Sequence, residues 1–168
     1  LLKLWPELLK KIPDATLDIS SYNDFPLHDC DAEILEIINK NSNSIKHHGK
    51  LANKELYKLI SQAEFWLYTT NFEETSWITG MEMLMNEVIC LYYPIAGLVD
   101  TIGAYGIKVE SGNEIDTILN LSKERKKELI NNGKEYALSC SWENRAQEWN
   151  KILGLNRQKW IFYYNNFT

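Results

Sequence analysis

The stretch FWLYTTNFEETSWITGMEMLMNEVICLYY, residues 65–93, decides the fold because it changes period twice. Residues 65–69 (FWLYT) are an unbroken apolar and aromatic run of strand length, the pattern of a strand buried on both faces. Residues 75–86 (TSWITGMEMLMN) switch to helical spacing. Residues 88–92 (VICLY) then return to a short β-branched and aromatic run. Strand, helix and strand in immediate succession make a βαβ unit, whose strands lie parallel while the helix crosses one face.

Outside this unit the alternation continues in both directions. Leu1, Leu2, Trp5, Leu8, Leu9 and Ile12 recur at helical spacing until Pro13 stops them. Residues 15–20 (ATLDIS) alternate as a strand, and residues 31–39 form a helix with Ile34, Leu35, Ile37 and Ile38 as its apolar stripe. A short strand over 44–48 is closed by Gly49, and a helix covers 53–62. After Pro94 the spacing predicts a short helix, a strand over 107–109, and helices over 114–121, 123–139 and 142–153. The expected fold class is therefore α/β, a Rossmann-like parallel sheet with helices on both faces.

Composition agrees with one such domain. The 168 residues are 45% hydrophobic and 24% charged, enough apolar content to build a core at that length. A net charge of -5 argues against a broad nucleic-acid footprint. No apolar run approaches the roughly 20 residues a membrane span needs. Cys30, Cys90 and Cys140 are odd in number and widely separated, so reduced thiols in a cytoplasmic protein are expected. The chain opens at Leu1 inside a helix, which reads as a piece of something longer.

The chemistry gathers in the middle of the βαβ unit. Ligands of open parallel sheets sit outside the carboxyl ends of the strands, and residues 70–74 occupy such an end. The backbone amides of Thr75, Ser76 and Trp77, at the expected helix start, form an anion site helped by the helix dipole. Glu74 lies just before that helix and Glu82 two turns inside it. A carboxylate accepts hydrogen bonds from two vicinal hydroxyls, the polar feature of a ribose or hexose ring. By spacing alone the alternative stays open: Glu74 favouring the helix terminus electrostatically, Glu82 capping through Thr79 or lying in solvent.

Residues 71–102 (NFEETSWITGMEML…VICLYYPIAGLVDTI in outline) resemble the donor-site signature of family 4 retaining glycosyltransferases of the GT-B class. That signature carries Glu, seven residues and Glu in an E-T-F-x-I-T-A-L-E-A type context, then a strand and a Gly-containing loop. Upstream, IKHHGKLANKELYKLISQAEFWLYTT resembles the family's preceding stretch, and LLKLWPELLKKIPDATLDI its first helix and second strand. Downstream, CSWENRAQEWNKIL resembles its closing helix. The resemblance covers residues 1–153, in family order.

The resemblance implies the C-terminal, donor-binding half of the enzyme. Glu74 becomes the candidate catalytic residue, contacting donor-sugar hydroxyls near the reacting carbon, and Glu82 the ribose ligand. The amides of Thr75, Ser76 and Trp77 meet the diphosphate; Gly49, Lys50 and Leu51 line the base pocket; Tyr22 faces the cleft. It implies a UDP- or GDP-sugar as substrate, no cofactor, no bound metal, and an acceptor domain elsewhere in the parent protein. A fragment without that domain is expected to be inactive.

Two features depart from the family. Its domain opens with a central strand whose loop supplies Arg and Lys to the diphosphate, and neither precedes Leu1. Residues 154–168 instead form a tail in which residues 160–164 (WIFYY) read like that opening strand. The tail is expected to fill the central position, in permuted order or by exchange with a neighbouring molecule; the alternatives are an edge strand or a strand packing on a lost partner domain.

The remaining motifs are weaker. DCD at 29–31 precedes a helix and suits an N-cap better than a metal. His28, His47 and His48 lack ligand spacing, although His48 sits at a strand end where it can face the cleft. No GxGxxG or GxxxxGK[ST] is present. Trp66, Tyr68, Trp77, Tyr92 and Tyr93 read mainly as core, with Trp77 a possible sugar contact. Two rival functions are a GT-B-shaped sugar-nucleotide epimerase and a non-catalytic α/β interaction module.

Overall fold

A computed structural model describes residues 1–20, 32–73, 75 and 77–154. Among the described residues, five short parallel strands alternate with helices. A 3₁₀ turn (Leu2–Leu4) leads into α1 (Trp5–Lys11), followed by β1 (Leu17–Ile19), α2 (Ala32–Lys40), β2 (Ile45–His47) and α3 (Asn53–Ile60). The central unit is β3 (Phe65–Tyr68), α4 (Ile78–Met85) and β4 (Ile89–Tyr92). Then come α5 (Gly97–Thr101), β5 (Ile107–Lys108), α6 (Glu114–Leu119), α7 (Lys123–Ser139) and α8 (Trp142–Ile152).

The strands hydrogen-bond in two groups, β1 with β2 and β3–β4–β5 in that order. Phe65 stands opposite Ile89, and Leu91 opposite Ile107, so β4 is flanked on both sides. Its Cys90, Leu91 and Tyr92 are fully buried. Period-2 alternation sends its side chains to two separate cores. Ile89 and Leu91 join Trp5, Leu8, Ile38, Ile115 and Ile118 on one face. Val88, Cys90 and Tyr92 join Ile60, Trp77, Leu84, Leu98 and Ile102 on the other. Helices α1, α2 and α6 thus cover one face and α3, α4 and α5 the other, while α7 reaches both through Leu129 and Ala137.

Local signals explain several boundaries. The Ser122 and Ser141 hydroxyls accept from the amides of Arg125 and Asn144 and cap α7 and α8. Leu84 of α4 packs against Gly133 of α7, where an added Cβ would stand 2.8 Å from its Cδ2. One boundary differs from expectation. Helix α4 starts at Ile78 rather than Thr75, because Trp77 is non-helical (φ -118°, ψ 75°) and drops its ring into the core.

Candidate functional site at the carboxyl ends of the strands

All five strands are parallel within their groups, so the loops leaving their carboxyl ends are where a ligand of this architecture would lie. The loop after β2 carries Gly49, Lys50 and Leu51. Gly49 has φ +63°, a left-handed conformation that favours glycine, and its carbonyl accepts from the Ser20 hydroxyl at 3.1 Å. That bond ties the turn to the end of β1. Beside it His48 Nε2 and Asp18 Oδ1 lie 2.7 Å apart, so the expected cleft histidine is engaged with a neighbouring strand.

The turn leads directly into α3, and α3 leads to Glu82. The Tyr57 hydroxyl of α3 donates to Glu82 Oε1 at 2.7 Å. Glu82 is therefore in contact with the helix that follows the Gly49–Leu51 segment. Tyr57 was not legible as a site residue, since nothing in its spacing links it to a carboxylate 25 positions later. Its acidity is lowered, with the pKa raised first by that hydrogen bond and then by the charge of Glu82.

Around the loop after β3, the Thr70 hydroxyl accepts from the Phe72 amide at 3.0 Å, folding the chain back on itself. Phe72 and Ile78 leave their side chains 68% and 71% exposed on either side of the helix start. Thr75 is exposed as well. Trp77 is only 3% exposed: it stacks on Trp66 (centroids 4.5 Å apart) and leans on Tyr68 and Tyr92. Its side chain is buried beneath the loop against Trp66. With α4 beginning at Ile78, the first-turn amides lie from Trp77 onward, later than the Thr75-to-Trp77 set expected. Glu74, Ser76 and Tyr22, like DCD and the tail strand, lie outside the described residues.

The loop after β4 holds a strained residue. Ala96 adopts φ 45°, ψ -133°, a region in which L side chains are disfavoured. Nearby, a hollow of about 330 Å³ is lined by Thr69, Tyr93, Ser111 and Glu114 together with the first residues of the chain. Glu114 is 1% exposed and accepts from the Tyr93 hydroxyl and, at 2.8 Å, from the Gly112 amide. Burial acts to raise its pKa, but these hydrogen bonds outweigh it and hold the carboxyl below its usual range. Among the described residues no group of three His, Cys, Asp or Glu side chains is arranged to hold a metal, and no helix is long and apolar enough to cross a membrane.

Neither a family profile nor a curated protein matches the chain by sequence. Solved structures do match it in shape. The N-terminal domain of Candida albicans trehalose-6-phosphate phosphatase superposes with TM-score 0.69 and 22% identity, over 91% of this chain and 38% of that one. A glycosyltransferase from Rickettsia africae gives 0.66 and 17%, over 93% and 45%. The pneumococcal O-GlcNAc transferase GtfA, solved with UDP and GlcNAc, gives 0.58 and 17%, over 88% and 31%. The fold is a Rossmann-like α/β domain of the GT-B type seen in these structures. The chain spans less than half the length of these structures.

Proposed function

We propose that the chain is the donor-binding domain of a retaining glycosyltransferase that moves a hexose from a nucleoside-diphosphate sugar to an acceptor. The observation carrying this is the Tyr57–Glu82 hydrogen bond, which holds one carboxylate oxygen beside the helix leaving the Gly49 turn. The other oxygen faces a ribose diol, while Gly49, Lys50 and Leu51 line the base pocket. The Thr75, Ser76 and Trp77 amides and the first turn of α4 meet the diphosphate, and Glu74 meets the sugar near the reacting carbon.

On this reading the departing diphosphate is stabilised by oriented amides at the start of α4, which cost no reorganisation as charge develops. No metal takes part. The acceptor comes from a further domain of the parent protein. The exposed stripe of Trp142, Trp149 and Ile152 on α8, 87%, 60% and 73% exposed, is an apolar face that such a domain would cover.

Calorimetric titration with UDP, GDP and their hexose conjugates tests the proposal. Binding of a nucleoside diphosphate, weakened at least about tenfold by Glu82→Ala, supports it. Absence of binding to the intact chain, with no effect of the substitution, favours the interaction module instead.

A further inference from the structure

We infer that α8 is the contact helix of a symmetric dimer, in which its apolar stripe packs antiparallel on the same stripe of a second copy of this chain. The inference does not rest on the donor-site reading. A further domain of the parent protein, where it is joined, competes for the same stripe.

The first observation is how little of α8 the described body covers. None of its residues is buried, and within the helix only Ala146 and Asn150, one turn apart, are half-buried. An isolated helix of 11 residues is marginal in water, so packing must supply the stability that its length does not.

The second observation is where its apolar residues fall. At about 100° per residue, Trp142, Trp149 and Leu153 lie within roughly 40° of one another, and Ile152 lies about 60° further round. All four are exposed. The stripe therefore runs the whole length of the helix, about 16 Å. The two tryptophans alone present roughly 350 Å², and Ile152 and Leu153 bring the total to about 600 Å². That is the upper end of what a monomer leaves in water. Two copies face to face remove about 1,200 Å², the lower bound of a stable specific interface.

The charges beside the stripe choose a second copy as its occupant. Arg145 and Glu148 flank the stripe on the Ile152 side. Arg145 Nη1 stands 2.7 Å from Glu148 Oε2, and Arg145 Nη2 donates to Cys140 Sγ at 3.2 Å. Both charged side chains are about half exposed. A two-fold axis across the stripe brings this same flank of the two copies together with the chain direction reversed. Arg145 of each copy then meets Glu148 of the other, and two ion pairs become one ring of alternating charge. The same reversal sets Trp142 of each copy on the Ile152–Leu153 end of the other, so that each broad ring covers a narrower aliphatic end. A stripe whose charges and shape complement themselves is what an isologous contact requires.

Sedimentation equilibrium on the intact chain and its variants tests this. At about 50 μM the chain is expected to sediment at twice its mass of 19.6 kDa. Trp149→Glu is expected to weaken self-association at least about 100-fold. Arg145→Glu and Glu148→Arg each break the ion pair within a copy as well as between copies, and each alone is expected to weaken the dimer. Mixed in equal amounts, the two are expected to form a heterodimer at least about tenfold tighter than either homodimer, because opposite charges then meet only across the interface. If Trp149→Glu does not fold, mixing the two charge variants still decides. A chain that is monomeric at about 50 μM overturns the inference, whatever then covers the stripe. So does a dimer whose affinity survives Trp149→Glu, or a mixture that gains nothing over its components.

Discussion

The Tyr57 hydroxyl and Glu82 Oε1, 2.7 Å apart, tie α3 to α4. The bond makes the aim of Glu82 depend on a residue that precedes it by a whole strand and loop. Tyr57 is 41% exposed, so removing its hydroxyl disturbs little packing. Tyr57→Phe is therefore expected to leave the melting temperature within about 1–2 °C, consistent with a surface change below about 0.5 kcal/mol. Its affinity for a nucleoside diphosphate is expected to fall several-fold, against about 10- to 100-fold for Glu82→Ala. Titration calorimetry on both variants checks the order, and a Tyr57→Phe effect as large as that of Glu82→Ala contradicts it.

The floor of the site separates from its rim by burial. Trp77, stacked on Trp66 and 3% exposed, is expected to cost about 3–5 kcal/mol as Trp77→Ala. Phe72, 68% exposed on the same loop, is expected to stay within about 0.5 kcal/mol as Phe72→Ala. Urea denaturation of the two variants measures the contrast. Equal costs would mean that the loop is not anchored through Trp77.

Much of the fold was legible because periodicity reports burial. FWLYT and VICLY read as strands, and both lie in the sheet with their side chains split between two cores. The start of α4 differs because helical spacing over residues 75–86 does not report where the first turn begins. Trp77, non-helical and with its ring buried, delays the helix to Ile78. The Tyr57–Glu82 and Tyr93–Glu114 bonds join positions far apart in sequence, and no spacing rule encodes such pairs. The division of the strands into two groups also lay beyond periodicity, which finds strands but not their neighbours.

Two helix glycines are expected to respond differently to alanine. At Gly80 an added Cβ would lie 2.6 Å from Trp77 Cε3 and 2.7 Å from Ile102 Cδ1, both in a packed core. Overpacking of about 1–3 kcal/mol there outweighs the roughly 1 kcal/mol gained in helix propensity. At Gly133 the nearest atom is Leu84 Cδ2 at 2.8 Å, the end of a side chain that can swing. Gly133→Ala is expected to be near neutral and Gly80→Ala destabilising, as denaturation midpoints would show. A stabilising Gly80→Ala would refute the close packing of α4 on Trp77.

Glu114 gives the fold an acid-sensitive contact. Its carboxyl is held below the ordinary value of 4.5, so the folded state prefers it ionised. The contribution is present above pH 4.5 and is lost as pH falls through the lower folded value. Glu114→Ala leaves the Tyr93 hydroxyl and the Gly112 amide without their acceptor and is expected to cost about 1–3 kcal/mol at pH 7. Glu114→Gln keeps the shape and is expected to flatten the loss of stability as pH falls below 4.5. An unchanged acid limb in Glu114→Gln would rule out the carboxylate as its source.

Cys90 sets the opposite limit. Its side chain is fully buried in β4, and burial pushes the thiol from an ordinary value of 9.0 up to about 12. A raised pKa means that the contribution is complete below pH 9.0 and is lost as pH rises toward 12. Between pH 8.5 and 10.5 the unfolded chain ionises while the folded thiol does not, a loss of about 2 kcal/mol. Cys90→Ala removes that component, so the wild type is expected to lose about 2 kcal/mol more than the variant over this interval in urea titrations. In the native state at pH 8, iodoacetamide is expected to label Cys140, which is partly exposed, and to reach Cys90 only after denaturation. Rapid labelling of Cys90 in the folded protein would show that β4 opens locally and would withdraw the alkaline prediction with it.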